Sequence, residues 1–87
     1  MLLQLRSDFE SVGYSLEDPR IFGMNREYPV EYLIVHKSQV LPVGRLWREG
    51  VSYMKYEPWG YGDAVLDYYA AEAHEIALSR LRLVHVE

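Results

Sequence analysis

The sequence contains no cysteine and no threonine. Without cysteine there is neither a disulfide framework nor a thiolate metal site, and nothing argues for secretion. Serines are present, but none lies in a G-x-S-x-G turn, the strained elbow that exposes a nucleophile. Long apolar runs are also missing: no stretch approaches the ~20 residues a membrane-spanning helix needs. The N-terminal MLLQLRSDFE does not read as a leader, because Gln4, Arg6, Asp8 and Glu10 interrupt it. Lysine and arginine are absent from Tyr56 to Ser79, while Glu57, Asp63, Asp67, Glu72 and Glu75 fall there. With a formal net charge of −4, the chain argues against non-specific binding to a polyanion, which needs clustered cations. These absences lead to the expectation of a soluble, cytoplasmic protein with no membrane segment.

What is present suits one small domain. The chain has 87 residues, 49% hydrophobic and 25% charged, which are ordinary globular proportions. Its aromatic and β-branched content excludes a disordered chain. No repeat, linker or low-complexity run divides residues 1–87.

Spacing predicts the elements. Leu2, Leu5, Phe9 and Val12 share one helical face, and Gly13 is a natural stop; a rival reading makes LLQL a short strand and starts the helix at Asp8. Residues 14–16 read as a short extended piece before the Asp18-Pro19 break. Three strands follow, centred on residues 30–36, 40–47 and 51–56, with a three-residue loop at Arg48-Glu49-Gly50. Pro42 conflicts with a central strand: either the second strand starts at Val43, or the first strand pairs elsewhere. Asp63 caps a second helix whose inner face is Leu66, Tyr69, Ala70, Ala73, Ile76, Ala77 and Leu81. The terminal LRLVHVE alternates as a strand would. The expected fold is α+β: an antiparallel sheet of three to four strands with two helices on one face, in the approximate order α-β-β-β-α-β.

Few chemistries find their residues. His36, His74 and His85 are scattered, and His74-Glu75 begins a zincin-like H-E-x-x-H motif that fails at Leu78. No metal or cofactor is expected. The turn Gly60-Tyr61-Gly62 precedes a helix, but Asp63 takes its amide donors and repels an anion. The carboxylate pairs Asp63/Asp67 and Glu72/Glu75 read as solvated acids on a helix.

Two surfaces stand out. Residues 53–69, YMKYEPWGYGDAVLDYY, hold half of the chain's aromatic residues. Tyr69 and Tyr56 are assigned to the core. Trp59, Tyr61 and Tyr68 join Glu72 and Glu75 as a candidate partner-binding surface, since Tyr and Trp bury large area at small entropic cost. The competing reading makes Trp59 a lid over the core. On the sheet, Val30, Tyr32, Ile34, Val40, Leu46, Met54 and Tyr56 are expected to face inward. The opposite face carries Glu31, Lys37, Arg45, Trp47, Tyr53 and Lys55 among Leu33, Val35 and Val43. Of these, Arg45, Trp47, Tyr53 and Lys55 form an alternative nucleic-acid or homodimer face. The sequence is therefore read as a small acidic, non-enzymatic module that masks a basic partner protein. Inhibitors, antitoxins, immunity proteins and phage or mobile-element anti-defence proteins are analogous in size and charge. The alternative is an RNA-contacting accessory domain.

Overall fold

A computed structural model describes residues 2–23, 30–49 and 54–85, with side chains of the last element as far as residue 80. The first helix, α1, spans Leu2–Ser11. Its apolar spacing turns Leu5 and Phe9 fully into the core, with Leu2 at the rim. Val12, expected on the same face, is exposed because the helix has already closed. The amides of Val12 and Gly13 bond back to the carbonyls of Phe9 and Glu10, each at 3.1 Å. Gly13 then takes φ 97°, where a side chain would be strained.

Four strands form one antiparallel sheet in sequence order: β1 (Tyr14–Glu17), β2 (Tyr32–His36), β3 (Gly44–Arg48) and β4 (Met54–Pro58). Tyr14 pairs with His36, Tyr32 with Leu46, and Leu46 with Tyr56. Strand alternation sends Tyr14, Leu16, Ile34, His36, Leu46 and Met54 to the side that the helices cover, where all are buried. Gly44 lies between Ile34 and Pro58 on neighbouring strands. A Cβ there would overlap the Tyr56 ring and hydroxyl, so the missing side chain is what admits that phenol.

The second helix, α2, spans Ala64–His85. Leu66, Ala70, Ala73 and Ala77 are buried, and Tyr69 and Ile76 pack against them, as the helical spacing predicts. Small residues on this face let the helix lie close to the sheet. Leu81 belongs to the same predicted face, but its side chain lies outside the described residues. An aromatic cluster joins the layers. The Phe9 ring meets Tyr14 at 6.0 Å and Tyr56 at 6.1 Å, and His36 stacks on Tyr69 at 3.9 Å.

The α+β class and the two-layer arrangement match the expectation, while the order of elements is α-β-β-β-β-α. The short extended piece after α1 is a full edge strand, β1. The terminal segment, expected as a strand, continues α2 to His85. No glycine or proline follows Gly62, so nothing breaks the helix once it has started. Val40, expected inward, is exposed because β3 begins only at Gly44, after Pro42. Leu33 and Val43, expected on the open face, are fully buried. The third strand begins, among the described residues, at Met54. Gly50 of the expected hairpin loop and Tyr53 of the alternative face lie outside the described residues.

Candidate binding surface

One end of the molecule is built by three segments: the 37–43 connection between β2 and β3, the 59–63 loop, and the first turns of α2. The Trp59 amide donates to Val43 O at 2.9 Å, which extends the β4 backbone past Pro58. Tyr61 is a strut across the end. Its hydroxyl donates to Pro42 O at 2.5 Å, and its amide donates to Asp67 Oδ1 at 3.1 Å. Burial raises the Tyr61 phenol pKa, because the ionised form would lose hydration there. Gly62, at φ 73°, turns the chain toward the helix. Asp63 Oδ1 accepts from the amides of Val65 and Leu66, both at 3.0 Å. The carboxylate thus satisfies the first helical donors and closes them to an anion.

This end carries a set of exposed apolar side chains. Val40 is 84% exposed, Tyr68 63% and Val65 52%, and Leu41 and Tyr61 are also exposed. Scattered exposed apolar residues are normal on a protein surface, whereas a grouping at one end is informative. Of the predicted set, Trp59 and Tyr61 lie in the 59–63 loop at this end, and Tyr68 lies on the early turns of α2, its ring edge-on to Tyr69 at 5.4 Å. Trp59 is half-buried, with its indole N–H donating to Glu57 Oε1 at 3.3 Å. It is a wall at the sheet edge, intermediate between lid and free surface. Val40, Leu41 and Val65 were missed by sequence reasoning. Two signals pointed to them: Pro42 excludes a strand through 40–41, and Val65 falls off the Leu66–Tyr69 face.

Glu72 and Glu75 run down α2, away from this end. Glu72 is half-buried and accepts the Tyr14 hydroxyl at 2.6 Å, while the same hydroxyl meets Tyr69 O at 3.0 Å. Burial, and then Glu72, raise the Tyr14 pKa far above its ordinary value. Glu75 is exposed and lines a groove with Ser11, Val12, Ile76 and Ser79. Across that groove Arg80 clasps Asp8 at 2.8 and 3.1 Å, tying α2 to α1. The Arg80 hydrogen bond holds the Asp8 carboxyl below its usual range.

The alternative sheet face is internally neutralised. Arg45 bonds Glu57 at 2.8 Å, and Lys55 approaches Glu49 at 3.6 Å. The Arg45 guanidinium lies 3.7 Å from the Trp47 ring centroid, and its side chain is only 11% exposed. Trp47 donates its indole N–H to Glu49 at 2.7 Å. This network lies over Leu33, the cross-strand neighbour of Arg45, and accounts for the burial of an apolar residue on a helix-free face.

Tyr14, His36 and Glu72 are the residue types of acid–base chemistry, but Tyr14 and His36 are buried, so a substrate has no approach to them. The His36 Nδ1 lies 2.7 Å from the Ser38 hydroxyl. Among the described residues no three His, Asp or Glu side chains come together as a metal-ligand set, and no helix is long and apolar enough to cross a membrane. No family model, no curated protein and no solved structure matches the chain.

Proposed function

We propose that this chain is a non-enzymatic protein-binding module that masks a basic surface of its partner, in the manner of an inhibitor, antitoxin, immunity or anti-defence protein. The observation that carries the reading is the grouping of Val40, Leu41, Tyr61, Val65 and Tyr68, all exposed, at one end. Apolar and tyrosine side chains presented this way gain free energy by leaving water against a complementary surface. Asp63 and Asp67 lie among them, and the chain from Tyr56 to Ser79 carries no Lys or Arg. A second copy docked on a two-fold axis would set these acids against themselves, which favours a different, basic partner.

The RNA-contacting reading is weaker on physical grounds. A base stacking on Trp47 would compete with the Arg45 guanidinium, and a phosphate would compete with Glu57 and Glu49 for Arg45 and Lys55.

A photo-crosslinking side chain placed at Tyr68 tests the proposal, with the same group at Ile21 as control. Ile21 is exposed in the 3-10 turn after β1, at the other end of the sheet. One basic protein captured from Tyr68 and not from Ile21 is the expected result, followed by an at least tenfold affinity loss for Tyr68→Asp with the purified pair. Equal capture from both positions, or an unchanged affinity, would refute it.

A further inference from the structure

Beside the exposed end, a groove separates Trp59 and Gly60 from Asp67, Ala70, Ala71 and His74 on α2. Alanines at 70 and 71 leave its floor low, and the indole of Trp59 forms a wall. His74 closes one side, its ring tilted against Tyr56 at 6.0 Å. Asp67 enters the groove with one oxygen already holding the Tyr61 amide. Its other oxygen accepts from no described residue.

We propose that this groove receives a lysine or arginine side chain of the partner protein, held between the Trp59 ring and the Asp67 carboxylate. The inference rests on the docking role proposed above and names the chemical anchor of that contact. Charge complementarity selects the occupant. Asp67 lines the groove, Asp63 caps the same helix, and the chain from Tyr56 to Ser79 carries no Lys or Arg, so a cation gains Coulomb attraction there, and an aromatic face adds the attraction of its quadrupole. Anions are disfavoured by the same acids, and Asp63 has taken the helix amides that would have bound them. The molecule already holds a cation in this way. On the sheet face Arg45 lies over Trp47 at 3.7 Å and bonds Glu57 at 2.8 Å, so a ring and a carboxylate together grip one guanidinium. Trp59 and Asp67 put the same two groups, a ring and a carboxylate, on one groove.

The test uses the full, isotopically labelled chain and three probes: acetyl-Leu-Arg-Leu-amide, its lysine counterpart, and a counterpart with citrulline, which keeps the shape of arginine without its charge. The two indole N–H resonances report separately on Trp59 and Trp47. At millimolar peptide, the arginine and lysine probes are expected to shift the Trp59 indole and the Ala70 and Ala71 amides, leaving the Trp47 indole in place. Citrulline should bind about fivefold more weakly, and raising salt from ~0.1 M to ~1 M should cost a similar factor. Asp67→Asn keeps an acceptor for the Tyr61 amide, so the loop holds while the charge is lost; it too should weaken the charged probes about fivefold. Should that variant misfold, Trp59→Leu serves, with the same loss expected.

Equal binding of arginine and citrulline probes, shifts confined to Trp47, or no shift at all would each overturn the inference. A partner captured through Tyr68 without charge preference at Trp59 would remove the cation anchor and leave the docking role standing. Charge-selective binding at Trp59 with no capture through Tyr68 would do the reverse.

Discussion

Single residues decide how tightly the two layers meet. Gly44 is the clearest case. An added methyl collides with the Tyr56 phenol and also with the Glu57 carbonyl, and neither is the loose end of a long side chain. Gly44→Ala should therefore destabilise by ~2–3 kcal/mol in urea unfolding, the cost of overpacking a close contact. Tyr56→Phe should not rescue it, because the ring carbon and the carbonyl remain. A glycine amid strand residues was a legible sign of close approach; which ring approaches was not, since Tyr56 is far along the chain. Tyr14 illustrates the converse. Its position in the core follows from β1, but its hydroxyl serves Glu72, 58 residues away. Tyr14→Phe should cost ~1–2 kcal/mol, near the lower end because half-buried Glu72 can take up water. Glu72 was read as a free acid on a solvated stripe, and only the fold shows it to be partnered.

At the scale of elements, the helices were more legible than the strands. Helix periodicity and the Asp63 cap are local, and they placed α2 correctly at its start. Asp63→Ala should lower stability by ~1 kcal/mol, the usual worth of such a cap, with the loss read in thermal unfolding. The far end was misread because LRLVHV alternates, and alternation does not exclude helix when no breaker intervenes. The clasp between helices is a tertiary event. Asp8 and Arg80 are about one-third exposed, with side-chain exposures of 34% and 29%. A double-mutant cycle on Asp8→Ala and Arg80→Ala should give a coupling of at most ~1 kcal/mol, shrinking as salt rises. A cycle that returned no coupling at low salt would leave the clasp without energetic weight.

For the molecule as a whole, the titrating groups set the pH range of stability. Tyr14 and Tyr56 have pKa values raised above their ordinary 10, mainly by burial. The folded state holds these protons more tightly than the unfolded chain, so their contribution is complete below pH ~10 and is lost as pH rises past it. Asp8 and Asp18 are shifted the other way by Arg80 and Arg20, Asp18 to about 2. Their contribution is present above the ordinary carboxylate range and disappears as pH falls through it, and it is small, because both pairs face solvent. The urea midpoint should therefore be flat from neutral pH to ~10 and drop steeply above it. In Tyr56→Phe the alkaline drop should be shallower, relative to that variant's own neutral value. A midpoint that fell equally in both proteins would assign the drop to other groups.

Sequence alone determined what depends on near neighbours: the single small domain, the α+β class, the helical faces of Leu5–Phe9 and Leu66–Ala77, the Asp63 cap, and the outward turn of Tyr68. These follow from periods of 3.6 and 2 and from turn chemistry, which act over a few residues. Tertiary structure decided what depends on distant pairing. It made residues 14–17 an edge strand of the sheet, placed Val40, Leu41, Tyr61, Val65 and Tyr68 at one end, and drew Glu72 to Tyr14. It also set Trp59 across a groove from Asp67. Strand order and side-chain partnership arise from contacts many residues apart, whose loop-closure cost and packing gain no local pattern encodes.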